Sequence, residues 1–175
     1  MSIERLYTRY PKVPIERRAA AFGIDFVGVW LVSSLVGFSF LFQMLAFILL
    51  WLTMRVVLVS SNQGQTLGRW ALDMKVLDAN GKIPGLLTLG KREGILGFCA
   101  LLAMIGVSSA LANPISFVLL TTPLAVDGGA ILADAEAPQA LHDRVAKTIV
   151  IQTRRGFSLD LRLKRLFAQV KRRMK

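Results

Sequence analysis

The chain has 175 residues, of which 54% are hydrophobic, and its formal net charge is +11. This length is typical of a single domain, but the hydrophobic content is high for a soluble one. The positive charge flanks apolar stretches that a soluble nucleic-acid-binding protein would not expose, so we expect anionic lipid head groups, and not nucleic acid, as the acidic partner. The single cysteine, Cys99, excludes an intrachain disulfide. With only one histidine, His142, we expect no metal site, and no motif indicates a cofactor.

The basic residues are confined to three segments. All of the 22 Lys and Arg residues except Arg55 lie in residues 1–18, 61–94 and 134–175, and apolar stretches separate these segments. Lys and Arg accumulate in the cytoplasmic loops of multi-pass membrane proteins. The pattern therefore predicts a multi-pass protein of the bacterial cytoplasmic (inner) membrane, or of an internal energy-transducing membrane, with both termini cytoplasmic.

The apolar stretches have the length of four membrane helices. A helix needs about 20 apolar residues to cross a bilayer core about 30 Å thick. Asn113-Pro114 divides the second stretch, and a turn near Gly37 and Ser39 divides the first. We predict an all-α membrane protein, a four-helix transmembrane bundle, with spans at residues 19–37, 42–59, 95–112 and 115–133. It comprises a cytoplasmic N-terminal segment (1–18), a membrane domain (19–153) with an inner loop (60–94), and a basic tail (154–175).

The fourth span has an alternative interpretation. Pro123 and Gly128-Gly129 weaken a helix there, which is compatible with a re-entrant segment after three spans. Such a segment would leave the basic tail outside, against the positive-inside rule. We therefore favour four spans.

The inner loop is predicted to be structured. Leu67, Trp70, Ala71 and Met74 share one face of a short helix opened by Thr66, and Trp70 suits the membrane interface. Residues 75–83 resemble a hairpin that turns at Asn80-Gly81, and residues 148–152 are rich in β-branched side chains. The two segments are candidates for pairing in a small cytoplasmic β element.

The tail from Ser158 onward has the pattern of an amphipathic helix. An apolar stripe alternates with basic side chains, which suits a helix lying on an anionic membrane surface. The alternatives are a solvated tail that orders only against a partner subunit and, least favoured, RNA binding. With Trp70, the candidate membrane-surface contacts are Arg162, Lys164, Arg165, Lys171, Arg172 and Arg173.

Three ionisable residues fall within the predicted spans: Asp25, Arg55 and Asp127. All three are placed at a similar depth below the inner surface, and an isolated charge there costs several kcal/mol. We therefore expect Arg55 to pair with Asp25 or Asp127. Such a cluster either holds helices in register or leaves one carboxylate free to bind a proton or cation; the first is favoured.

Three motifs, in order, resemble the RDD family of membrane proteins, which is named for one arginine and two aspartates. They are residues 17–25, residues 64–69 with 75–78 and Gly81, and residues 141–148. By this resemblance the signature positions are Arg18, Asp25 and Asp143. Two departures are Asp73, where the family usually has glycine, and the basic tail after Thr153. The resemblance implies an integral membrane protein; some members are reported as monovalent-cation/proton antiporters and others as scaffolds.

No catalytic residue is recognisable. Residues 64–69 lack the spacing of a phosphate-binding loop, and no serine or cysteine nucleophile accompanies His142-Asp143. For Asp143 we expect a loop contact with Arg18 or with backbone amides. The sequence favours a non-enzymatic accessory or scaffold subunit of a membrane complex, which contacts other membrane-protein subunits or itself. The alternative is a small oligomeric, proton-coupled monovalent-cation transporter that uses Asp25 and Asp127.

Overall fold

The computed structural model describes residues 3–36, 39–133 and 137–153. The predicted amphipathic helix from Ser158, with its basic surface contacts, lies outside these residues, as does most of the predicted turn at Gly37.

Four helices are long and apolar enough to cross a membrane, as the sequence predicts. They are Ile15–Val36, Phe40–Ser61, Leu86–Ser109 and Pro114–Ala133, here the first to fourth spans. The first packs on the second, the second on the third, and the third on the fourth. One end of the bundle carries the long inner loop and a small sheet, and we name it the loop end. The other end, with the short connection 110–113, is the turn end.

The largest difference from the predicted boundaries lies in the third span, which begins at Leu86 and not at Ile95. The charged residues Arg92 and Glu93 led the sequence prediction to place residues 86–94 in the loop. In the structure both side chains are buried within the helix bundle. Their charges are neutralised by partners from other segments, so the helix can carry them inside the fold.

The fourth span is one continuous helix with a tight final turn. Asn113 caps its start by accepting a hydrogen bond from the Ser116 N–H, and Pro114 follows at the first helical position. The α-helix runs to Gly129, past Pro123, and a 3₁₀ turn extends it to Ala133. The re-entrant alternative does not describe this segment.

The second span contains a π-helical turn. Phe40–Leu52 and Leu58–Ser61 are α-helical, and Thr53–Val57 between them is a π-helix. Arg55 lies at the centre of this turn and is buried. Single π turns inside α-helices recur at functional positions because they redirect side chains.

The two predicted strand segments pair with each other. β1 (Met74–Asp78) and β2 (Thr148–Gln152) form an antiparallel sheet in which Val76 is opposite Val150. The chain turns after β1 near Asn80-Gly81, but the residues after the turn do not return as a strand, so the predicted hairpin is not formed. The partner strand comes instead from the distant segment Thr148–Gln152, whose β-branched side chains favour an extended strand.

Short helices complete the loop end. The loop helix, Leu67–Ala71, begins at Thr66, whose side chain accepts a hydrogen bond from the Arg69 N–H. Leu67 and Trp70 are exposed, whereas Met74 is buried within β1 and so does not extend the predicted helical face. A closing helix, Leu141–Ala146, leads into β2.

The N-terminal segment is also part of the fold. A helix over Ile3–Arg9 buries Leu6 and Tyr7 against Ile149 and Ile151 of β2. The Tyr7 hydroxyl donates to the Pro138 carbonyl. This small core, separate from the one between the spans, fixes the loop end as a packed unit.

Between the spans the core is aromatic. Phe47 and Trp51 of the second span are fully buried and stack on each other, and Phe22 and Phe26 of the first span lie against them edge-on. The Cζ atom of the Arg55 guanidinium lies 4.7 Å from the centroid of the Trp51 ring. The aromatic core therefore contacts the charged residues of the loop end directly.

Candidate functional site: a buried charge network at the loop end

Seven charged side chains form one connected set at the loop end, and each is at least nine-tenths buried. Four are guanidinium groups and three are carboxylates, and together they join the first three spans, the loop helix and the closing helix. We call this set the charge network; its members are Arg18, Asp25, Arg55, Arg69, Arg92, Glu93 and Asp143.

Asp25 joins the first span to the second span and to the loop helix. Its Oδ2 accepts from Arg55 Nη1 at 2.7 Å and from the Thr66 hydroxyl at 2.6 Å, and its Oδ1 accepts from the Gly68 N–H at 2.8 Å. Three donors therefore share the two carboxylate oxygens: one guanidinium group, one hydroxyl group and one backbone N–H. The arrangement satisfies a carboxylate that would otherwise be costly to bury.

Gly68 permits this contact. A Cβ at this position would lie 2.1 Å from the Ala21 carbonyl oxygen of the first span, well inside van der Waals contact. The loop helix can therefore approach the first span closely enough for the Gly68 N–H to reach Asp25 only if this residue has no side chain. This explains the glycine in the central motif.

Glu93 is the centre of the network. Its Oε2 accepts from Arg55 Nε at 2.7 Å, and its Oε1 accepts from Arg69 Nη2 at 3.3 Å and from Arg92 Nη1. A carboxylate with three guanidinium partners stays ionised although it is fully buried. Glu93 is not among the site residues predicted from the sequence, because its charged segment is predicted to lie in the inner loop.

Asp143 ties the closing helix to the spans. Its Oδ1 accepts from Arg92 Nε at 2.8 Å and from the Thr148 hydroxyl at 3.1 Å. Its Oδ2 lies 3.4 Å from Arg18 Nη1, and Arg18 Nη2 donates to the Val150 carbonyl at 3.2 Å. The contact between Arg18 and Asp143 is the loop contact expected from the sequence, but Arg92, which the sequence did not indicate, is the nearer cation.

Electrostatics keep Asp143 ionised. Burial alone would raise the pKa of Asp143, but the charges of Arg92 and Arg18 outweigh burial and hold the pKa well below its usual range. For Arg69, burial together with the neighbouring Arg55 and Arg92 lowers the pKa to about 9, so its guanidinium stays charged at neutral pH.

Asp127 of the fourth span lies outside the charge network. It does not pair with Arg55; its Oδ1 accepts from the His142 N–H at 2.9 Å, and its Oδ2 lies 2.5 Å from His142 Nδ1. His142 Nε2 is 3.1 Å from Arg92 Nη2, which can only donate, so Nε2 accepts and Nδ1 carries the proton. The expected three-residue cluster is thus divided, because the closing helix brings His142 to Asp127.

A partly open cavity of about 340 Å³ lies beside these residues, between the first and fourth spans. Its base contains Arg18, Arg69 and the pair Asp127–His142, and its walls are mostly apolar side chains of the two spans. Among the described residues, no group of three or more His, Cys, Asp and Glu side chains is placed to hold a metal ion.

Asp73, where the family usually has glycine, lies in a turn next to the sheet. Asp73 has φ +54°, in the left-handed region that glycine adopts without strain. Its carbonyl accepts from the Thr153 N–H at 2.7 Å, next to the sheet. A glycine at this position would fit the same turn, and aspartate is among the residues that tolerate it best.

A model of the RDD family matches residues 12–147. The chain belongs to the RDD family, a family of membrane proteins. No curated protein sequence and no solved structure is detectably similar to the chain. The signature residues Arg18, Asp25 and Asp143 are joined through Arg92, Glu93 and Arg55 in a single path of ion pairs. In this RDD protein the three motifs therefore meet in one buried network.

Proposed function

We propose that this RDD protein is a non-enzymatic accessory or scaffold subunit of a larger membrane assembly. The observation that carries the proposal is the pairing of each carboxylate in the charge network with at least one guanidinium group. Such a network fixes the helices in one register and leaves no member of it free to exchange a proton or cation in the resting structure. A rigid bundle with large exposed apolar surfaces suits contact with other membrane proteins.

The turn end supports the same conclusion. Its hydroxyl groups bond to the backbone of their own helices: Ser33 donates to the Trp30 carbonyl and Ser108 to the Met104 carbonyl. Met104 and Phe47 are fully buried there. Polar side chains that line a route from the cavity to the far side would favour transport. In the described part of the turn end, the hydroxyl groups of Ser33, Ser108 and Ser109 bond to backbone carbonyls instead.

Site-directed photocrosslinking in native membranes tests the scaffold proposal. Crosslinkers at Leu31, Leu49 and Leu119, which are exposed on the first, second and fourth spans, sample three faces of the bundle. We expect one face to give a single defined protein adduct, while a crosslinker at buried Phe47 gives none. Lipid adducts alone at all three positions would contradict the proposal.

The alternative is an oligomeric, proton-coupled monovalent-cation transporter. One observation favours it: Asp127 and His142 form a pair of ionisable side chains in contact with each other at a cavity. Cation-driven proton flux in proteoliposomes separates the two functions. Robust wild-type flux that is lost in a well-folded Asp127→Asn variant would establish transport and overturn the scaffold proposal; absent flux supports it.

We further propose that the loop end faces the cytoplasm of a bacterial inner membrane, since the basic residues gather there. With Cys99 replaced by alanine, a cysteine at Asn113 should react with an impermeant thiol reagent from the outside, and one at Asn80 only after permeabilisation. The reverse labelling pattern would contradict this orientation.

A further inference from the structure

The cavity between the first and fourth spans has the size and lining of a ligand site. Its volume of about 340 Å³ lies in the range of small-molecule sites, roughly 300–1,000 Å³. Ala19 and Phe22 of the first span and Leu124 and Ala125 of the fourth span form opposite apolar walls. The polar groups are confined to its base at the loop end.

Two arginines at this base are bound less closely than the others. Arg55 lies 2.7 Å from each of its two carboxylates, whereas Arg18 and Arg69 approach theirs only to 3.4 and 3.3 Å. Within the described part of the chain, Arg18 Nε and Arg69 Nη1 are buried without a hydrogen-bond acceptor. Their side chains are 8% and 5% exposed. Buried donors without acceptors are costly, so these two guanidinium groups keep hydrogen-bonding capacity that their carboxylate partners do not use.

The three carboxylates that line the cavity, Asp25, Asp127 and Asp143, already accept hydrogen bonds from other groups, and Asp127 accepts from the His142 N–H. Asp25 accepts from Arg55, Thr66 and Gly68, and Asp143 accepts from Arg92 and Thr148. The cavity therefore offers surplus guanidinium donors to an occupant. Guanidinium groups match the oxygens of a phosphate, and burial strengthens the contact.

We propose that this cavity binds one anionic membrane phospholipid, with its phosphate at Arg18 and Arg69 and acyl carbons between the first and fourth spans. A free phosphate ion would use the arginines but leave the apolar walls uncovered. A zwitterionic lipid would cover the walls but would also place the positive charge of its headgroup beside the arginines of the charge network. The binding site is independent of whether the protein acts as a scaffold or a transporter.

Gly128 offers a way to fill the cavity without touching the charges. It lines the cavity, and a Cβ built there meets nothing within 4 Å. Gly90 of the third span is similarly open and half-buried but is not among the cavity residues. Gly128→Leu should therefore block the site, and Gly90→Leu is its matched control.

The full chain, purified and delipidated in mild detergent, is mixed with dioleoyl-phosphatidylglycerol or dioleoyl-phosphatidylcholine, and retained lipid is counted by native mass spectrometry. We expect one tightly held phosphatidylglycerol per wild-type chain, retention reduced about tenfold by Gly128→Leu, and little change with Gly90→Leu. Equal retention by both glycine variants, or equal retention of both lipids by the wild type, would overturn the proposal.

Two further measurements identify the headgroup contact. Arg69→Gln leaves Glu93 with Arg55 and Arg92, and we expect it to abolish the preference for phosphatidylglycerol over phosphatidylcholine. Thermal unfolding of the wild type is also followed with inorganic phosphate alone. If phosphate raises the melting temperature as much as phosphatidylglycerol does, the cavity is a free-anion site and the lipid proposal fails.

Discussion

The two ends of the bundle are held together by different physical means. At the turn end, the spans pack through apolar and aromatic side chains such as Phe47 and Met104. At the loop end, the charge network connects segments that are far apart in the sequence, including the closing helix and the first span. Apolar packing is tolerant of small shifts, whereas ion pairs and short hydrogen bonds require particular atoms at particular distances. The loop end therefore determines the register of the fold.

The same comparison explains why the family motifs cluster at one end. The motif at residues 17–25 supplies Arg18 and Asp25, the central loop supplies Gly68 and Arg69, and the closing motif supplies Asp143. The spans need only be apolar to face lipid and one another, so many sequences satisfy them. The loop end needs specific side chains, because a buried charge with a missing partner is strongly destabilising.

The largest effect is expected from Arg55→Leu. This change removes the guanidinium group that bridges Asp25 and Glu93 and leaves Asp25 without its cation. We expect a loss of about 3–5 kcal/mol in stability, because a buried carboxylate loses its counter-charge. Denaturant unfolding in detergent measures the loss. Met104→Leu, a volume-conserving change at the turn end, is the control. A smaller loss of stability for Arg55→Leu than for Met104→Leu would contradict the special role of the loop end.

Gly68→Ala should have the next largest effect. The new methyl group would overlap the Ala21 carbonyl and push the loop helix away from Asp25, at a cost of about 1–3 kcal/mol. Gly23→Ala, in the same first span that Gly68 contacts, meets nothing within 4 Å. It should be neutral or slightly stabilising, since alanine favours a helix over glycine. Thermal unfolding of the two variants measures the difference; equal melting temperatures would show that the close approach is not required.

The smallest effect is the acid dependence contributed by Asp143. Its folded pKa lies below the unfolded value of about 3.9. The stabilisation is therefore complete above the unfolded pKa and is lost as the pH falls through that value toward the folded pKa. Asp143→Asn should be less stable than the wild type at neutral pH, and the gap should narrow between roughly pH 5 and pH 3.

Unfolding midpoints across this pH range give the measurement. Glu16→Gln, at an exposed position of the first span, should follow the wild-type curve. A constant difference between wild type and Asp143→Asn at every pH would mean that the charge of Asp143 does not stabilise the folded state.

The four long apolar helices are predicted by local features of the sequence. Apolar length and the distribution of basic residues predicted four spans, and the structure has four suitable helices. The pair of strands at residues 74–78 and 148–152 was also among the predicted pairings. These features depend on hydrophobicity and β-branching, which are properties of short segments and can be read locally.

The partners of the charges, by contrast, depend on how distant segments pack together. The sequence predicts Glu93 and Arg92 in the inner loop, yet they are the centre of the network. Asp127 was expected near Arg55, yet the closing helix places His142 beside it. Burial of a charge depends on which distant segment supplies the counter-charge, and hydropathy along the chain carries no information about that choice. The sequence therefore specified which segments are long and apolar enough to cross a membrane, and the packing of the inner loop against them specified which charges meet.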